Sequence, residues 1–557
     1  MKQFVHMDKN LIDKLKQAIK GDVLTDDQTL TAYSHDASLF EVKPKVVVYP
    51  KDEEDVKALV KFVTQNKKNN PSLSLTARSA GTDMSGGSIN DSIIVGFEKY
   101  FNHTPKIQGN VATSEPGVYY RDFEKETLKH NLIFPSYPAS RDICAMGGIV
   151  NNNSGGEKSL QYGKTEKYVK RIKVVLADGN TYELKPIPET ELEKKVKLKN
   201  FEGEIYKKMH KLITDNYSEI LKAKPQVSKN SAGYNLWDIW NKDKKTFDLT
   251  RLFVGAQGTL GFLLEADIEL VPIHKHREMM IIFLHDLSSL DQIIKIALSL
   301  HPESFESYDD NTLKLALRYF PEFAKQLGLF GMIQASIAFL PAFISLFTGR
   351  SLPKLVLQVD FTSDDPKEVE QKIATLKEKL KPLHPQTQIA KDNEEKRYWL
   401  VRRESFNLLR KKIRDRHTVP FIDDFVIKPE LIKEVVPQIT DILKKHPEFI
   451  FTVAAHIGNG NFHIIPLVDI KNPNVRTAIP EISDQVYKII AKYKGSITGE
   501  HNDGIIRTPY LKEMYGEKIT DLFAETKKIF DPNNIFNPRK KVGGDLDFAM
   551  NHIRQNW

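Results

Sequence analysis

Short apolar runs alternate with glycine-rich stretches in the first half of the chain, and the pattern changes near residue 272. Before that point, β-rich runs such as VVVYP, SIIVGF and ADIELVP are separated by glycine-dense loops and a few helices. After residue 274, the strand pattern MMIIFLH precedes the helix pattern LDQIIKIALSL, and a second strand–helix pair follows in ESFESYDDNTLKLALRYF. The strand LVLQVDF then leads to the periodic helix DPKEVEQKIATLKEKL. This order predicts an α+β protein whose second domain contains a ferredoxin-like sheet.

The same pattern predicts how the chain divides. Residues 1–40 form a helical lead-in, residues 41–272 a first domain, residues 273–545 a second domain, and residues 546–557 a tail. A chain of 557 residues is too long for one apolar core, so at least two domains are expected.

The stretch QLGLFGMIQASIAFLPAFISLFTG, residues 326–349, fits neither domain because it has no charged residue and is flanked by lysines and arginines. As one helix it would extend roughly 36 Å, which is enough to cross a bilayer. Pro341 and two glycines favour a broken helix lying on a membrane surface. A surface-bound membrane patch is therefore the first interpretation, ahead of a buried core or dimer face and of a true membrane span.

Charge and cysteine content narrow the functional classes. Lys and Arg number 81 against 73 Asp and Glu, a surplus that suits an anionic substrate or membrane surface and is too small to indicate nucleic acid binding. The single cysteine, Cys144, excludes a disulfide framework, a thiolate zinc site and a cysteine-ligated iron–sulfur cluster. The first twenty residues have no apolar signal-peptide core, which predicts an intracellular protein.

Three glycine-rich runs, ARSAGTDMSGGSIN, MGGIVNNNSGGEKSLQYGKT and VGAQGTLGFLLEADIELVP, lie in the first domain. Small residues let backbone N–H groups crowd around a phosphate. The spacing fits neither a Walker A loop nor a Rossmann fingerprint, and the first run alone could be a plain turn cluster. Three such loops in one domain indicate a long cofactor with a polyphosphate, held by backbone groups.

Together these runs resemble the FAD-binding domain of the vanillyl-alcohol-oxidase and p-cresol-methylhydroxylase type of flavoenzyme. The resemblance implies a two-subdomain FAD-binding domain over residues 41–272. Family members with covalent flavin carry a histidine at the position of Thr82, so non-covalent FAD is implied. The residues implied to bind FAD are Arg78, Ser79, Ala80, Gly81, Thr82, Asp83, Gly86, Pro138, Ser140, Gly147, Gly148, Asn153, Gly155, Tyr162, Gly163 and Gly261.

The motif HIGNGNFH places two histidines around an Asn-Gly pair. Apolar alternation on both sides predicts a hairpin with a two-residue type I′ turn at Asn459-Gly460. In that register His456 faces His463 with Cβ atoms about 4.5–5.5 Å apart, so the two could share a divalent ion. Glu500 is the candidate third ligand, and this set suits Zn²⁺, with Fe²⁺ or Mn²⁺ as alternatives. An exposed histidine pair without metal is the other interpretation of the spacing.

Three motifs, HIGNGNFH, TGEHNDG and FDPNNIFNPRK, are similar to those of the D-lactate, glycolate and D-2-hydroxyglutarate dehydrogenase group, in the same order. The resemblance implies FAD- and metal-dependent oxidation of a D-2-hydroxy acid. It assigns the metal to His456, His463 and Glu500, the catalytic base to His501, the substrate carboxylate to Arg402, and a flavin contact to Asn537.

Two details bear on the substrate. Ile465 stands where the hydroxyglutarate enzymes place a substrate-binding Asn, which argues against a second substrate carboxylate and favours a D-lactate-like acid. The run VSKNSAGYNL either brings Lys229 or Tyr234 to the site or is only a loop.

The electron acceptor is predicted to be external, because one cysteine cannot hold an iron–sulfur extension. The uncharged stretch suggests a membrane quinone and a position on the inner face of the cell membrane. Three alternatives stay open: an oxidase that uses O₂, a non-redox enzyme like alkyl-glycerone-phosphate synthase, and a non-catalytic flavoprotein.

Overall fold

The structure is a computed structural model that describes residues 7–318, 352–391, 398–399, 416–469 and 471–555. Two of the predictions, the carboxylate-binding Arg402 and the membrane patch at 326–349, lie outside these residues. Within the described ranges, none of the helices has both the length and the apolar character needed to cross a membrane.

The first part of the chain is built around two larger sheets, with a three-stranded sheet and a two-stranded sheet beside them. Its strands are β1 Asp22–Leu24, β2 Val46–Tyr49, β3 Leu75–Arg78, β4 Ile93–Gly96, β5 Lys106–Gln108, β6 Val111–Ser114, β7 Leu132–Ile133, β8 Val169–Val175, β9 Thr181–Leu184, β10 Ile187–Pro188, β11 Trp240–Asn241, β12 Thr246–Phe247, β13 Phe262–Glu269 and β14 Val271–Pro272. Its helices are α1 Lys9–Ala18, α2 Asp27–Ala32, α3 Glu53–Asn66, α4 Tyr120–Leu128, α5 Met146–Asn152, α6 Ser159–Tyr162, α7 Glu189–Lys195, α8 Phe201–Asp215, α9 Tyr217–Ala223 and α10 Thr250–Phe253.

The two larger sheets define two subdomains, as predicted. The mixed sheet has the order β1-β2-β4-β3, and β4 at its centre reads IIVG and is fully buried, as expected for a strand covered on both faces. The antiparallel sheet has the order β5-β6-β13-β8-β9, and the two smaller sheets have the orders β10-β12-β11 and β14-β7. Each sheet packs on its own apolar core, one around Val46 and Ile93 and the other around Ile172 and Ile268.

The C-terminal part of the chain returns to these two subdomains. Ile535 and Phe536 pack in the core of the mixed sheet, and the amide of Leu75 donates to the Ile535 carbonyl at 2.7 Å. Phe523 and Phe530 enter the core of the antiparallel sheet. The two ends of the sequence therefore build the first domain together.

Over its described residues, the second domain forms an eight-stranded antiparallel sheet with helices against it. Its strands are β15 His276–Leu284, β16 Ser304–Asp309, β17 Leu355–Ser363, β18 Gln386–Lys391, β19 His417–Thr418, β20 Phe425–Val426, β21 Phe449–His456 and β22 Asn461–Val468. The helices of this part and of the C-terminal segment are α11 Leu290–Leu298, α12 Asp310–Arg318, α13 Pro366–Leu380, α14 Ile432–Leu443, α15 Pro473–Lys492, α16 Gly504–Arg507, α17 Leu511–Phe530 and α18 Leu546–Asn551.

Half of this sheet has the predicted ferredoxin-like arrangement. The elements β15, α11, β16, β17, α13 and β18 follow a β-α-β-β-α-β order with α12 inserted between β16 and β17, and their strands lie in the order β18-β15-β17-β16. Strands β21, β22 and β19 then extend the sheet from the edge of β16. Alternate residues such as Ile282, Leu357 and Ile464 bury one face in the large core beneath the helices, which leaves the opposite face for His456 and His463.

Candidate active site

The hairpin of β21 and β22 carries both predicted histidine ligands, but its register differs from the prediction. A 3₁₀ turn over Ile457–Asn459 lengthens the connection to four residues, so His456 pairs with Asn461 and His463 pairs with Ala454. The predicted direct pairing of the two histidines and its two-residue turn are therefore wrong. Both side chains still share a face, because residues two apart on a strand point the same way, and their ring centroids lie 5.2 Å apart.

Contacts outside the hairpin account for the longer turn. Gly460 has a φ of 66°, and a Cβ at this position would collide with the carbonyl oxygen of Ile427. The Ile427 amide donates to the Gly460 carbonyl at 2.9 Å, and the hydroxyl of Ser228 donates to the Asn459 carbonyl at 2.7 Å. The turn is therefore shaped by its docking on two other segments, which a rule for isolated hairpins does not include.

A buried carboxylate holds Nδ1 of each ligand histidine. Nδ1 of His456 lies 2.8 and 2.9 Å from the two carboxylate oxygens of Glu306, and Nδ1 of His463 lies 3.0 Å from Oδ1 of Asp423. This leaves Nε2 of both rings for a metal, the arrangement in which a carboxylate fixes ring orientation and raises ligand basicity. The carboxylate of Glu306 outweighs burial and raises the pKa of His456.

Glu500 completes the cluster predicted from the sequence. Its Oε1 lies 3.5 Å from Nε2 of His456, and ligand atoms of His456, His463 and Glu500 all lie within 4.8 Å of one another. Burial alone would raise the pKa of Glu500, but the ammonium of Lys229 and the ring of His456 lower it well below its usual value. The three side chains are buried and could hold one divalent cation.

Asp424 fixes the loop that carries Glu500 and His501. Its Oδ2 accepts hydrogen bonds from the amides of Glu500 and His501 at 2.8 and 2.7 Å and from the hydroxyl of Thr498 at 2.6 Å. Its Oδ1 accepts from Nδ2 of Asn461 at 3.0 Å. One carboxylate thus ties the loop to the start of β22 and sets the distance between Glu500 and the histidines.

The predicted base, His501, lies beside the cluster. Its Nδ1 is 2.9 Å from Oδ2 of Asp423, and its ring centroid is 5.3 Å from that of His463. Burial would lower the pKa of His501, but the carboxylates of Asp424 and Asp423 outweigh burial and raise it to about 9. With Nδ1 against Asp423, Nε2 is the ring atom available for proton transfer in the cleft.

The loop VSKNSAGYNL supplies one residue to the cluster and not the other. Nζ of Lys229 lies 2.5 Å from Oε1 of Glu500 and 3.3 Å from Oδ1 of Asn461. The hydroxyl of Tyr234 instead meets the hydroxyl of Thr259 at 2.7 Å inside the first domain. Of the two candidates, Lys229 alone reaches the predicted metal ligands.

A cavity of about 430 Å³ connects this cluster with the glycine loops. His456, His463, Ile465, Glu500 and His501 line one end of it. The predicted FAD-binding residues that line the remainder are Ser79, Ala80, Gly81, Thr82, Asp83, Pro138, Ser140, Gly147, Gly148, Gly155 and Gly261.

Six of the residues implied to bind FAD do not line this cavity: Arg78, Gly86, Asn153, Tyr162, Gly163 and Asn537. Their contacts shape the loops instead. Nη1 of Arg78 donates to the carbonyl of His35 at 2.8 Å, and Nδ2 of Asn537 donates to the carbonyls of Gly87 and Gln257 at 2.8 and 2.7 Å.

The loops that line the cavity are suited to a flat, phosphate-bearing cofactor. A Cβ at Gly148 would meet no heavy atom within 4 Å, so this backbone borders open space, whereas a Cβ at Gly147 would lie 2.6 Å from the hydroxyl of Ser79. The carboxylate of Asp83 is turned back into its own loop, where it accepts from the amides of Ser85 and Gly87. These features fit backbone recognition of FAD.

The carboxylates that hold the candidate ligands in place were not predicted from the sequence. Glu306 lies in a buried strand, and Asp423 and Asp424 stand between apolar residues in the run FIDDFVI. Adjacent aspartates inside an apolar run are a signal for buried, partnered carboxylates, because charged groups are buried only when paired. No comparable signal marks Glu306, whose partner depends on the pairing of β16 with β21.

Two family models match the two domains of the chain. The family model for the C-terminal domain of FAD linked oxidases matches residues 273–541, and that for an FAD binding domain matches residues 44–185. The chain is 26% identical over 534 residues to a D-2-hydroxyglutarate dehydrogenase of Pantoea ananatis (strain AJ13355). The alignment covers 94% of this chain and 50% of that protein. The chain therefore spans about half the length of that relative.

Two shorter relatives match along most of their length. Identity is 25% over 521 residues to the glycolate oxidase subunit GlcD of Bacillus subtilis (strain 168), covering 92% of each chain. It is 24% over 500 residues to a D-lactate dehydrogenase of Archaeoglobus fulgidus (strain ATCC 49558), covering 89% of this chain and 91% of that one.

Solved structures show the same fold. p-Cresol methylhydroxylase with substrate bound has a TM-score of 0.66 at 16% identity and covers 97% of both chains. Alkyldihydroxyacetonephosphate synthase has a TM-score of 0.62 at 16% identity and covers 96% of this chain and 85% of that one. The chain thus belongs to the FAD-linked oxidase family, FAD-dependent oxidoreductases with an N-terminal FAD-binding domain and a C-terminal FAD-oxidase domain of the p-cresol-methylhydroxylase fold.

Proposed function

We propose that this protein is an FAD- and divalent-metal-dependent dehydrogenase that oxidises a D-2-hydroxy acid similar to D-lactate to the 2-oxo acid. The observation that carries the proposal is the cluster of His456, His463 and Glu500, with His501 beside it, at one end of the cavity lined by the FAD-type glycine loops. The relatives named as D-lactate and D-2-hydroxyglutarate dehydrogenases support the same reaction class.

The donor set fits a divalent cation. Nε2 of His456, Nε2 of His463 and a carboxylate oxygen of Glu500 would hold it, and Zn²⁺ is the first choice for two imidazoles and one carboxylate. The partners of the two rings agree with this choice. Glu306 lies against Nδ1 of His456 and Asp423 against Nδ1 of His463, which suits rings that bind a cation through Nε2.

Different residues of the chain orient the rings and accept the proton during oxidation. When bound, the metal supplies Lewis acidity toward the substrate hydroxyl, and FAD accepts the hydride equivalent. Asp423 orients His463 and His501 together, since its two oxygens lie against Nδ1 of each ring. His501 takes the hydroxyl proton at Nε2 in its neutral form, which a divalent cation bound in the cluster would favour by lowering the pKa of the ring from the value of about 9 in the metal-free protein. A carboxylate at Nδ1 of a histidine base fixes both the tautomer and the orientation of the ring.

The wall beside the ligands favours a substrate with an apolar side chain. Ile465 is 3% exposed, lines the cavity, and lies on the same face of β22 as His463. A second carboxylate placed against this side chain would lose its hydration without a partner. We therefore place D-lactate-like acids ahead of dicarboxylic ones.

The cofactor is proposed to be bound without a covalent bond, because Thr82 occupies the cavity wall where covalent relatives carry histidine. Denaturation should therefore release all of the flavin from the protein.

We further propose that electrons pass to a membrane quinone. The support is the uncharged stretch at 326–349 with its basic flanks. Deletion of 326–349 should abolish membrane binding and quinone reduction while sparing reduction of a soluble dye. Membrane binding that survives the deletion would contradict this assignment, and peroxide release during turnover would indicate an oxidase instead.

Anaerobic mixing of the flavin-loaded protein with D- and L-2-hydroxy acids tests the proposed reaction. A D-acid should bleach the flavin absorbance, its L-enantiomer should not, and chelation should abolish bleaching until Zn²⁺ is restored. Flavin that stays oxidised with every D-acid in metal-replete protein would overturn the proposal.

A further inference from the structure

Lys229 is an uncommon neighbour for a metal ligand. Its side chain is 1% exposed, and its ammonium lies 2.5 Å from Oε1 of Glu500. The same oxygen is 3.5 Å from Nε2 of His456, one of the two nitrogens that face the proposed metal. A lysine and a divalent cation would therefore share one carboxylate.

The loop that carries Lys229 is fixed on both sides. The hydroxyl of Ser228 donates to the carbonyl of Asn459 in the hairpin turn. The amide of Ser231 donates to the carbonyl of Thr498 at 2.9 Å, just before Glu500. Lys229 thus belongs to the first domain, and its ammonium contacts a proposed ligand of the second domain. Hydrogen bonds hold the backbone near Lys229 in place.

We propose that Lys229 is a built-in counter-ion of the metal site, which stabilises Glu500 when no metal is bound and limits how tightly the site holds a divalent cation. The proposal rests on the metal assignment made above. Two cations beside one carboxylate repel each other, so the lysine opposes the metal. A buried carboxylate destabilises the fold unless nearby cations offset its charge, so the lysine also supports the protein before metal arrives.

The alternative role for Lys229 is to hold Glu500 in place for the metal. The two roles predict opposite results for Lys229→Met. Loss of a competing counter-ion tightens metal binding, whereas loss of a positioning contact weakens it. Lys229→Arg is the matched control because it keeps the charge while changing the shape of the donor group.

The test uses full-length, FAD-loaded protein stripped of metal with a chelator and titrated with Zn²⁺ against a chromophoric competitor. Lys229→Met should bind Zn²⁺ more tightly than wild type by about tenfold or more. Its metal-free form should melt at a lower temperature than metal-free wild type and gain more from added Zn²⁺. Lys229→Arg should stay near wild type in both measurements.

Equal or weaker Zn²⁺ binding by Lys229→Met would overturn the counter-ion role. If wild type binds one Zn²⁺ that His463→Ala loses, such a result would leave the proposed metal site standing. Wild type that binds no divalent metal would overturn both.

A double variant tests the metal-free half of the proposal if Lys229→Met does not fold. Glu500→Gln leaves Lys229 buried without its charged partner, and Lys229→Met/Glu500→Gln removes both charges. The double variant should therefore melt at a higher temperature than Glu500→Gln alone, as expected for a coupled pair. A lower melting temperature for the double variant would contradict the proposal.

Discussion

At the residue scale, the cluster depends on the carboxylates that lie against Nδ1 of its histidines. Asp423 is 0% exposed and touches both His463 and His501, while Glu306 holds His456. His463 and His501 outweigh the effect of burial and keep the pKa of Asp423 below its usual value. The ligands are therefore oriented before any ion arrives.

The substitution Asp423→Asn should weaken metal binding by about 10–100-fold, because partners behind metal-bound histidines typically contribute that much. Competition with a chromophoric chelator measures the affinity. Asp309→Asn is the matched control: Asp309 is a carboxylate of β16 that accepts from the amide and hydroxyl of Thr312 rather than from a histidine. A loss of affinity of the same size in both variants would argue against a specific role for Asp423.

Ile465→Asn should change substrate preference. A polar side chain on the cavity wall can pair with a second carboxylate that isoleucine leaves unpaired, so kcat/KM for D-2-hydroxyglutarate relative to D-lactate should rise roughly tenfold or more. Steady-state kinetics with a dye acceptor measures the ratio, and Ile465→Leu should leave it near the wild-type value. An unchanged ratio in Ile465→Asn would mean that this wall does not contact the substrate side chain.

At the element scale, sequence patterns predicted the hairpin of β21 and β22 but not its register. Alternating apolar residues around Asn459-Gly460 were sufficient to predict a hairpin with both histidines on one sheet face. Its register was not predictable, because the turn docks on Ile427 and Ser228, which belong to distant parts of the chain. Local turn rules describe a hairpin in isolation, and here tertiary contacts choose the connection length.

Gly460→Ala tests that docking. Alanine at positive φ costs roughly 1–2 kcal/mol wherever it occurs, and at this position its Cβ would also collide with the Ile427 carbonyl. Gly109→Ala is the matched control, because Gly109 has a φ of 61° and open space around its missing Cβ. Denaturant unfolding should show the larger loss of stability for Gly460→Ala, accompanied by weaker metal binding. Equal losses in the two variants would show that the turn is not held against Ile427.

At the scale of the whole molecule, the site is made where two domains meet. The FAD-type loops and Lys229 come from the first domain, and the proposed metal ligands come from the second. The clustering of His456, His463 and Glu500 could be predicted because they lie in short contiguous motifs. The run FIDDFVI marks Asp423 as a buried carboxylate but does not identify its histidine partners, and Glu306 has no such signal because its contact with His456 follows from the pairing of β16 with β21.

The two ends of the chain also meet beside the FAD-type loops. Nη2 of Arg554 donates to the carbonyl of Asp36 at 2.6 Å, and the side chain of Asp36 accepts from the hydroxyl of Ser88 at 3.2 Å. Burial, together with the nearby carboxylate of Asp83, raises the pKa of Asp36 to about 6. An unfolded aspartate titrates near 3.9, so the folded protein keeps this proton after the unfolded chain has lost it.

The stability that Asp36 contributes should therefore fall as the pH rises from about 4 to about 6. Between about pH 5 and about pH 7.5, wild type should lose about 1–2 kcal/mol of unfolding free energy relative to Asp36→Asn, which cannot ionise. Denaturant unfolding of both flavin-loaded proteins at the two pH values measures the difference. A difference independent of pH would contradict the raised pKa.

The central claim is that one divalent metal sits between His456, His463 and Glu500. Crystals of the zinc-loaded protein, measured on both sides of the zinc absorption edge, test it most directly. We predict a single strong anomalous peak in coordination contact with Nε2 of both histidines and with a carboxylate oxygen of Glu500. Fully loaded crystals with no peak there, or with the peak at another site, would contradict the account.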